Sequence, residues 1–309
     1  MRILVLGNGF DLDLGLKTTY KDFFQNVYSE KHHLLSDSLE EFLTSRCKSE
    51  QNWFNIEEAM AMYVRKKECP VNSTILDMDK FFLHNLKENF SDYIDRNWAT
   101  IATNQWNKPI KQSLAKKIIE LQNEIHCFDK IYSFNCFNYS LLDLASDLEI
   151  CSIPNVIYLH GSSDSFILGI IESDCKCSDY SFMIKKNQKN YPKEKVENFK
   201  HDLIKADEVV IFGHSLNRID MEYFNYFFLD LANASRNPRK ITIITKDMNS
   251  VLEIKNNISD YVISFEKANQ YSTISFVMSD DYYKKENIDE ANCLFHRLTC
   301  SKIKNNITL

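Results

Sequence analysis

Five short, predominantly apolar runs constrain the fold of this chain more than any other feature of its sequence. The runs lie at 3–6, 130–134, 156–159, 209–212 and 241–245. Apolar runs that lack the polar alternation of a half-exposed strand are typical of strands covered on both faces of a parallel sheet. Helical patterns separate most of them, at 141–148, 193–206 and 220–232. This alternation of strand and helix predicts a doubly wound α/β fold with a parallel sheet.

The interval between the first two runs has a helical pattern instead. Apolar residues recur there at helical spacing. They are Leu35, Leu39, Phe42 and Leu43, then Phe82, Leu86, Phe90 and Ile94, then Leu114, Ile118, Leu121 and Ile125. We therefore predict a Rossmann-like domain over 1–264 with a helical lobe inserted at about 20–127, serving either as a cover for the site or as scaffold. Residues 265–309 are predicted to add a strand near 271–278 and a helix near 290–299, packed on the same domain.

Glycine is scarce, and most of the six glycines follow an apolar run. A usual frequency of about 7% would give roughly 20. Glycine lets the backbone approach a ligand closely, and ligands of open parallel sheets bind beyond the carboxyl ends of the strands. The residues after the runs are therefore predicted to bind a nucleotide-type ligand. They are Gly7, Asn8, Gly9, Phe10, Thr19, Gly161, Ser162, Gly213, His214, Ser215 and Asp220.

The two glycine loops differ from well-known motifs. The first has Leu12 where a dinucleotide fingerprint has its third glycine, yet its two glycines still allow a tight turn with exposed N–H groups for an anion. The segment 213–216 lacks the second glycine of a serine nucleophile elbow, which disfavours hydrolase chemistry of that type. Structural roles are alternatives for two of the ligand candidates, because Thr19 and Asp220 can each cap a helix.

Three side chains are candidates for catalysis. His160 follows a buried run and precedes a glycine, and imidazole can act as a general base near neutral pH. Asn135 would orient a ribose or a water molecule, and Asp11 would bind a hydroxyl or polarise water. Turn-forming roles for Asn135 and Asp11, and a structural role for His160, are the alternatives.

Composition excludes several classes of protein. The net charge of −6 argues against a general nucleic-acid binder, and no apolar run approaches the ~18 residues of a membrane span. The nine cysteines show no spacing typical of a disulfide framework or a structural zinc site, since only Cys175 and Cys177 are close in sequence. We therefore expect free thiols in a reducing, cytoplasmic compartment and no bound metal. The lysine-rich segment 185–200 is predicted to be a solvated helix face and loop.

Five segments together resemble the AbiH family of bacterial abortive-infection proteins, in the family's order. They are 3–23, 53–57, 132–135, 158–162 and 211–220. Two positions depart from the family pattern. Lys17 stands where proline commonly follows Gly-Leu, and Cys136 with Phe137 interrupts the usual F-N-Y-T run, so that Asn138 is an alternative to Asn135.

At a greater distance, the same order resembles sirtuin-like NAD-binding domains. The resemblance implies an anti-phage protein that cleaves NAD at the nicotinamide N-glycosidic bond, with Asn135 orienting the ribose and His160 as general base. It implies NAD or a related nucleotide as substrate or ligand and a phage-derived trigger; a homo-oligomer is also expected. A nucleotide- or phage-sensing module without turnover is the first alternative. A metal-dependent nuclease or phosphohydrolase using Asp11, Asp220 and Glu57 is the second.

Overall fold

The computed structural model describes most of the chain. The described residues are 1–28, 36–50, 54–103, 113–135, 156–161, 165–235, 237–280 and 285–306. The chain divides into two compact units. The first consists of Met1–Gly15, Trp106–Leu159 and Glu194–Leu309, and the second of Leu16–Gln105 and His160–Lys193.

A parallel six-stranded sheet forms the centre of the first unit. Its strands are β1 (Arg2–Leu6), β2 (Lys130–Ser133), β3 (Val156–Tyr158), β4 (Glu208–Phe212), β5 (Lys240–Thr245) and β6 (Thr273–Met278). Their order in the sheet is β3-β2-β1-β4-β5-β6, so the order reverses between β1 and β4. Both of these central strands are buried along their whole length, as uninterrupted apolar runs require. The predicted Rossmann-like α/β fold is confirmed, while its likeness to sirtuins stays a prediction.

The described helices follow the predicted alternation. They are α1 (Asn8–Asp13), α2 (Tyr20–Val27), α3 (Leu39–Ser49), α4 (Ile56–Arg65), α5 (Ser73–Thr103), α6 (Leu114–Ile125), α7 (Lys193–Lys205), α8 (Met221–Leu231), α9 (Met248–Tyr261), α10 (Phe265–Ala268) and α11 (Lys285–Asn306). The helices predicted near 193–206, 220–232 and 290–299 are confirmed as α7, α8 and α11. The helix predicted at 141–148 lies outside the described residues.

Side-chain caps fix where several helices begin. Ser113 accepts a hydrogen bond from Lys116 N at 3.1 Å and caps α6. Asp247 accepts one from Ser250 N at 2.9 Å and caps α9, which lowers the pKa of its carboxyl. A capping side chain satisfies a backbone donor that the helix itself cannot satisfy. Asp247 therefore has a structural role as a helix cap, and this role requires no ligand.

Contacts between aromatic rings form much of the core of the second unit. The ring of Phe23 meets those of Phe24, Phe90 and Tyr93 at centroid distances of 5.1–5.5 Å. The predicted apolar face of α5, which includes Phe90, is buried. Mutual edge-to-face contacts of this kind favour a tightly packed helical core.

On α6 the buried face is turned slightly from the predicted one. Leu114 and Ile118 are buried as predicted. Leu121 and Ile125 are only half-buried, and the core position between them is taken by Gln122. Its amide oxygen accepts from Phe128 N at 2.7 Å, so a polar residue fills a core position by satisfying a backbone donor.

The prediction of free thiols is wrong for one pair of cysteines. Cys69 and Cys177 form a disulfide in the second unit, although they are 108 residues apart in sequence. The remaining cysteines of the described residues are free thiols. Among the described helices, none has the length and apolarity needed to span a bilayer.

Candidate functional site

The loops after β1 and β4 pack against each other where the strand order reverses. Gly9 N donates a hydrogen bond to Gly213 O at 2.8 Å. A Cβ atom on Gly9 would lie 2.6 Å from Gly213 Cα, and one on Gly7 would lie 2.6 Å from Gly213 O. Gly213 also has a φ of 66°, in the left-handed region that favours glycine. The packing of these two loops therefore requires glycine at this edge of the sheet.

This packing also engages backbone donors of the first loop. Gly7 N donates to Phe212 O at 2.8 Å and Phe10 N donates to Gly7 O at 3.0 Å, in addition to the bond from Gly9 to Gly213. These three N–H groups are therefore engaged within the protein, and the predicted binding of an anion by the loop cannot use them. Instead, Gly7 is the N-cap of α1, and the buried ring of Phe10 meets the Phe212 ring edge-on at 5.2 Å.

Asn135 follows β2 and holds Asp11 in place. Its Nδ2 donates to Asp11 Oδ2 at 3.0 Å and to Gly7 O at 3.1 Å. Its own backbone N–H donates to Ser133 Oγ at 3.0 Å, which fixes the start of the loop. Both amide hydrogens of Asn135 are thus used, and within the described chain its amide oxygen is left to accept a further bond. The structure brings together two of the three predicted catalytic side chains; the alternative, Asn138, lies outside the described residues.

His214 stabilises an unusual turn after β4. Its Nδ1 accepts from Leu216 N at 3.0 Å, so Nδ1 carries no proton and the neutral ring is protonated at Nε2. Leu216 has a φ of 49°, a value that residues other than glycine rarely adopt. The Nε2 atom lies 3.7 Å from Asp220 Oδ2, and both side chains are buried. The Phe134 ring covers the imidazole edge-on at 4.3 Å.

Asp220 lies at the N-cap position of α8, but its side chain makes no capping hydrogen bond. Asn217 organises this turn instead, because its Oδ1 accepts from Ile219 N at 2.9 Å and from Asp220 N at 3.0 Å. Its Nδ2 donates to Asp220 Oδ2 at 3.1 Å and to Ser215 Oγ at 3.4 Å. The capping alternative for Asp220 is therefore wrong. Its carboxylate faces His214 and Asn217, and the sequence motif did not single out Asn217.

His160 belongs to the second unit, in a buried cluster with Lys185 and Glu57. Lys185 Nζ lies 2.9 Å from Glu57 Oε2 and 3.4 Å from His160 Nε2. The three residues are 2%, 7% and 7% exposed, in the order Lys185, Glu57, His160. Glu57 Oε1 also accepts from Gly169 N at 3.3 Å. Because an ammonium group can only donate, His160 Nε2 is the acceptor, and the neutral ring carries its proton on Nδ1.

Lys185 is the residue that sequence reasoning missed. The prediction of a solvated segment at 185–200 is wrong at its first position, where the ammonium group is buried and paired. Lysine is almost never fully buried unless it is paired. Glu57 was named through the family resemblance and as a carboxylate of the nuclease alternative, but nothing in the local sequence links it to a lysine 128 residues away.

Thr19 and Gly161 also lie in the second unit. Thr19 Oγ1 accepts from Asp22 N at 2.9 Å and caps α2, which confirms the structural alternative for this residue. Gly161 has a φ of 83°, and a Cβ there would lie 2.1 Å from Ser165 O, so the turn admits only glycine. Ser162 lies outside the described residues.

A carboxyl with a strongly perturbed pKa in the first unit is that of Asp13, at the end of α1. Burial raises the pKa of this carboxyl from its ordinary value of 3.8 to about 6, and the negative charge of Asp280 adds to the effect. The hydrogen bond from Ala115 N, at 2.8 Å, acts in the opposite direction because it favours the ionised form. Asp13 is thus a half-buried acid within a few residues of the glycine loop.

The sheet order and the polar residues after β1, β2 and β4 define a class: an open parallel α/β protein of the nucleotide-binding type. Within that class, the family model described as "Bacteriophage abortive infection AbiH" matches residues 3–244. The chain therefore belongs to the AbiH family, and its role is in bacterial abortive infection, a defence against phage. Comparison with curated proteins and with solved structures gave no match.

Proposed function

We propose that this AbiH protein binds NAD at the carboxyl edge of β1 and β4 in the first unit and cleaves its nicotinamide N-glycosidic bond. The reversal of strand order between β1 and β4 carries the proposal. In open α/β sheets, the crevice at such a reversal is where ligands bind. Dinucleotide sites on sheets of this order place a polar side chain against the ribose hydroxyls, and Asn135, which follows β2, is suited to that role.

The chemistry requires groups that tolerate a cationic ribose. When the bond to nicotinamide breaks, positive charge develops on the ribose; water then attacks, giving ADP-ribose, nicotinamide and one proton. The Asn135 amide oxygen would accept a hydrogen bond from a ribose hydroxyl. The Asp11 carboxylate, held at 3.0 Å by Asn135 Nδ2 and 5% exposed, would stabilise the charge or polarise the attacking water. A fixed carboxylate in a site shielded from water interacts strongly with developing positive charge.

The glycine loop would contribute shape more than backbone donors. Its N–H groups at Gly7, Gly9 and Phe10 already have partners, so the pyrophosphate would not be held by these three groups. His160 stays the predicted general base. Its Nε2 accepts from Lys185, so it can take a proton there only if the Lys185 ammonium group moves away or loses its own proton.

A sensing module without turnover is the second candidate. It is favoured by the internal hydrogen bonds of two polar side chains at this edge, since Asp11 is held by Asn135 and His214 by the turn at Leu216. Side chains that are already hydrogen-bonded within the protein can recognise a ligand without taking part in a reaction. Binding of NAD or ADP-ribose without release of nicotinamide would support this candidate.

The experiment combines binding with product release. Calorimetry with NAD and ADP-ribose measures binding, and chromatography measures nicotinamide. Since a defence enzyme can require infection to become active, the cellular NAD level is also followed in phage-infected bacteria that express the chain. Asn135→Ala is expected to lower kcat/KM by about 10- to 100-fold, the value of a hydrogen bond to a charged group. Asp11→Asn is expected to lower it by about 10²–10⁴.

Asn225→Ala, a change of the same kind on α8, is the control and is expected to behave as wild type. The proposal fails if the wild-type chain neither binds NAD nor depletes it during infection. It also fails if Asn135→Ala and Asp11→Asn cleave NAD at the wild-type rate. Loss of activity on chelation, with no nicotinamide among the products, would instead favour the metal-dependent nuclease or phosphohydrolase.

A further inference from the structure

A cluster of metal-ligand type side chains lies in the second unit and has no part in the proposed function. The Sγ atoms of Cys69 and Cys177 and a carboxylate oxygen of Asp179 all lie within 4.8 Å of one another. Cys69 is exposed, Asp179 is half-buried and Cys177 is buried, so the cluster reaches from the surface inward. The two sulfur atoms are joined in the disulfide described above.

We propose that reduction of the Cys69–Cys177 disulfide converts this cluster into a binding site for a thiophilic divalent cation, best matched by zinc. The ligands would be the two thiolates and the Asp179 carboxylate. The fourth tetrahedral position would be left to water or to a further ligand. Only the C-x-C pair at 175 and 177 is visible in the sequence, because Cys69 joins it from a distant segment.

The spacing of the three atoms suits such an ion. Zinc binds thiolate at about 2.3 Å and carboxylate oxygen at about 2.0–2.2 Å in tetrahedral geometry. Ligand atoms that share the ion therefore lie about 3.6–3.8 Å apart, which is inside the 4.8 Å within which these atoms are already gathered. Once the disulfide is reduced, only small movements of the side chains are needed.

The charges and the chemistry of the donors also favour a cation. Two thiolates and a carboxylate would place three negative charges together, which is unfavourable unless a positive ion compensates them. A disulfide alone gains nothing from a carboxylate at this distance, whereas a zinc ion does. Soft sulfur donors select zinc over magnesium or calcium.

Neighbouring groups orient the ligands. Asp179 Oδ2 accepts from Val71 N at 2.9 Å, which fixes the direction of the carboxylate. Cys175 Sγ donates to Cys177 O at 3.1 Å and holds the loop on the other side. Hydrogen bonds of this kind commonly position metal ligands and raise affinity.

The conversion takes two steps, reduction of the disulfide and binding of zinc to the resulting thiolates. A dithiol reductant gives two electrons and two protons to the disulfide, so the S–S bond breaks, two thiols form and the reductant becomes a disulfide. Zinc then displaces the two thiol protons, forms two Zn–S bonds and releases both protons to solvent. In the reverse direction, a disulfide oxidant takes two electrons from the thiolates and becomes a dithiol, so the S–S bond is restored and the ion is expelled.

The test uses the full chain in reduced and oxidised form. A trialkylphosphine reduces the disulfide, taking up oxygen from water as its oxide, and is then removed without air. Cobalt(II) is the probe, since thiolate ligation gives a sulfur-to-cobalt charge-transfer absorption, and zinc is then added to displace it. The reduced wild-type chain is expected to bind one equivalent more than the oxidised chain, with the charge-transfer band in the reduced form alone.

Asp179→Asn separates the metal site from the disulfide. It keeps both cysteines, so the disulfide should form as in wild type, while affinity for the reduced site should fall at least about 10-fold. Cys177→Ser should lose the additional equivalent, and Cys300→Ser, a change at an exposed thiol on α11, should keep it.

Two results would overturn the proposal. One is a reduced wild-type chain that binds no more cobalt than the oxidised chain. The other is an Asp179→Asn variant with wild-type affinity, which would place the ion on other thiols. Circular dichroism checks that each variant folds; if Cys177→Ser does not, Asp179→Asn decides the question alone.

Discussion

Replacing Asp13 with asparagine is expected to remove a pH dependence of stability that this half-buried carboxyl imposes on the first unit. Burial raises the pKa of Asp13 from 3.8 to about 6 in the folded protein. The folded state therefore holds this proton more tightly than the unfolded state does. The resulting stabilisation is complete below about pH 4 and is lost as the pH rises through about 6.

The size of the effect follows from the two pKa values. Each unit of difference corresponds to about 1.4 kcal/mol, so the free energy of unfolding should fall by at most about 3 kcal/mol between pH 4 and pH 7. Asparagine cannot ionise, and its side-chain oxygen can still accept from Ala115 N, where Asp13 now accepts at 2.8 Å. The variant should therefore lack this part of the pH profile.

Urea unfolding of both proteins at a series of pH values provides the measurement. The difference between wild type and Asp13→Asn is taken at each pH, because it cancels the titration of other carboxyls. Asp260→Asn, at an exposed position on α9, is the control and should follow wild type throughout. A difference between wild type and Asp13→Asn that stays constant from pH 4 to 7 would refute the reasoning.

Three further substitutions test other parts of the structure. Gly9→Ala would bring a Cβ within 2.6 Å of the backbone of the loop after β4 and should destabilise the first unit by about 1–3 kcal/mol. Gly15→Ala is the control, because its Cβ would meet no atom within 4 Å and should cost only the strain of the positive φ. Thermal unfolding compares the stability of the two variants. Lys185→Met leaves the Glu57 carboxylate buried without its cation and should lower the unfolding free energy by about 3–5 kcal/mol, with partial recovery when Glu57→Gln is added. His160→Ala should reduce NAD cleavage by about 10²–10⁴ while circular dichroism stays unchanged; an unaltered rate would exclude His160 as the base.

The two central strands, β1 and β4, were predictable because each contains a continuous apolar run, and burial on both faces leaves little else that such a run can form. The order of the strands in the sheet was not predictable. Whether β1 lies beside β2, β4 or both depends on crossovers that leave no local pattern. The polar residues after β1, β2 and β4 were found for the same reason as the strands, since a strand end is visible in sequence.

The buried pairings were harder to predict. Lys185 stands in a lysine-rich stretch, whose composition indicates solvent, and only the fold brings Glu57 to it. The disulfide likewise joins segments that share no motif. The glycines were located correctly but explained by a ligand, whereas those of the β1 and β4 loops are required by the close contact between the two loops.

The position of β1 in the middle of the sheet has a consequence for how the chain folds during synthesis. Arg2 pairs with Glu208, so β1 waits during synthesis for a neighbour that is made about 200 residues later. At ordinary translation rates that delay is roughly 10–40 s. Through this interval an apolar strand lacks one of its partners, and nascent chains that stop before β4 should be prone to aggregate.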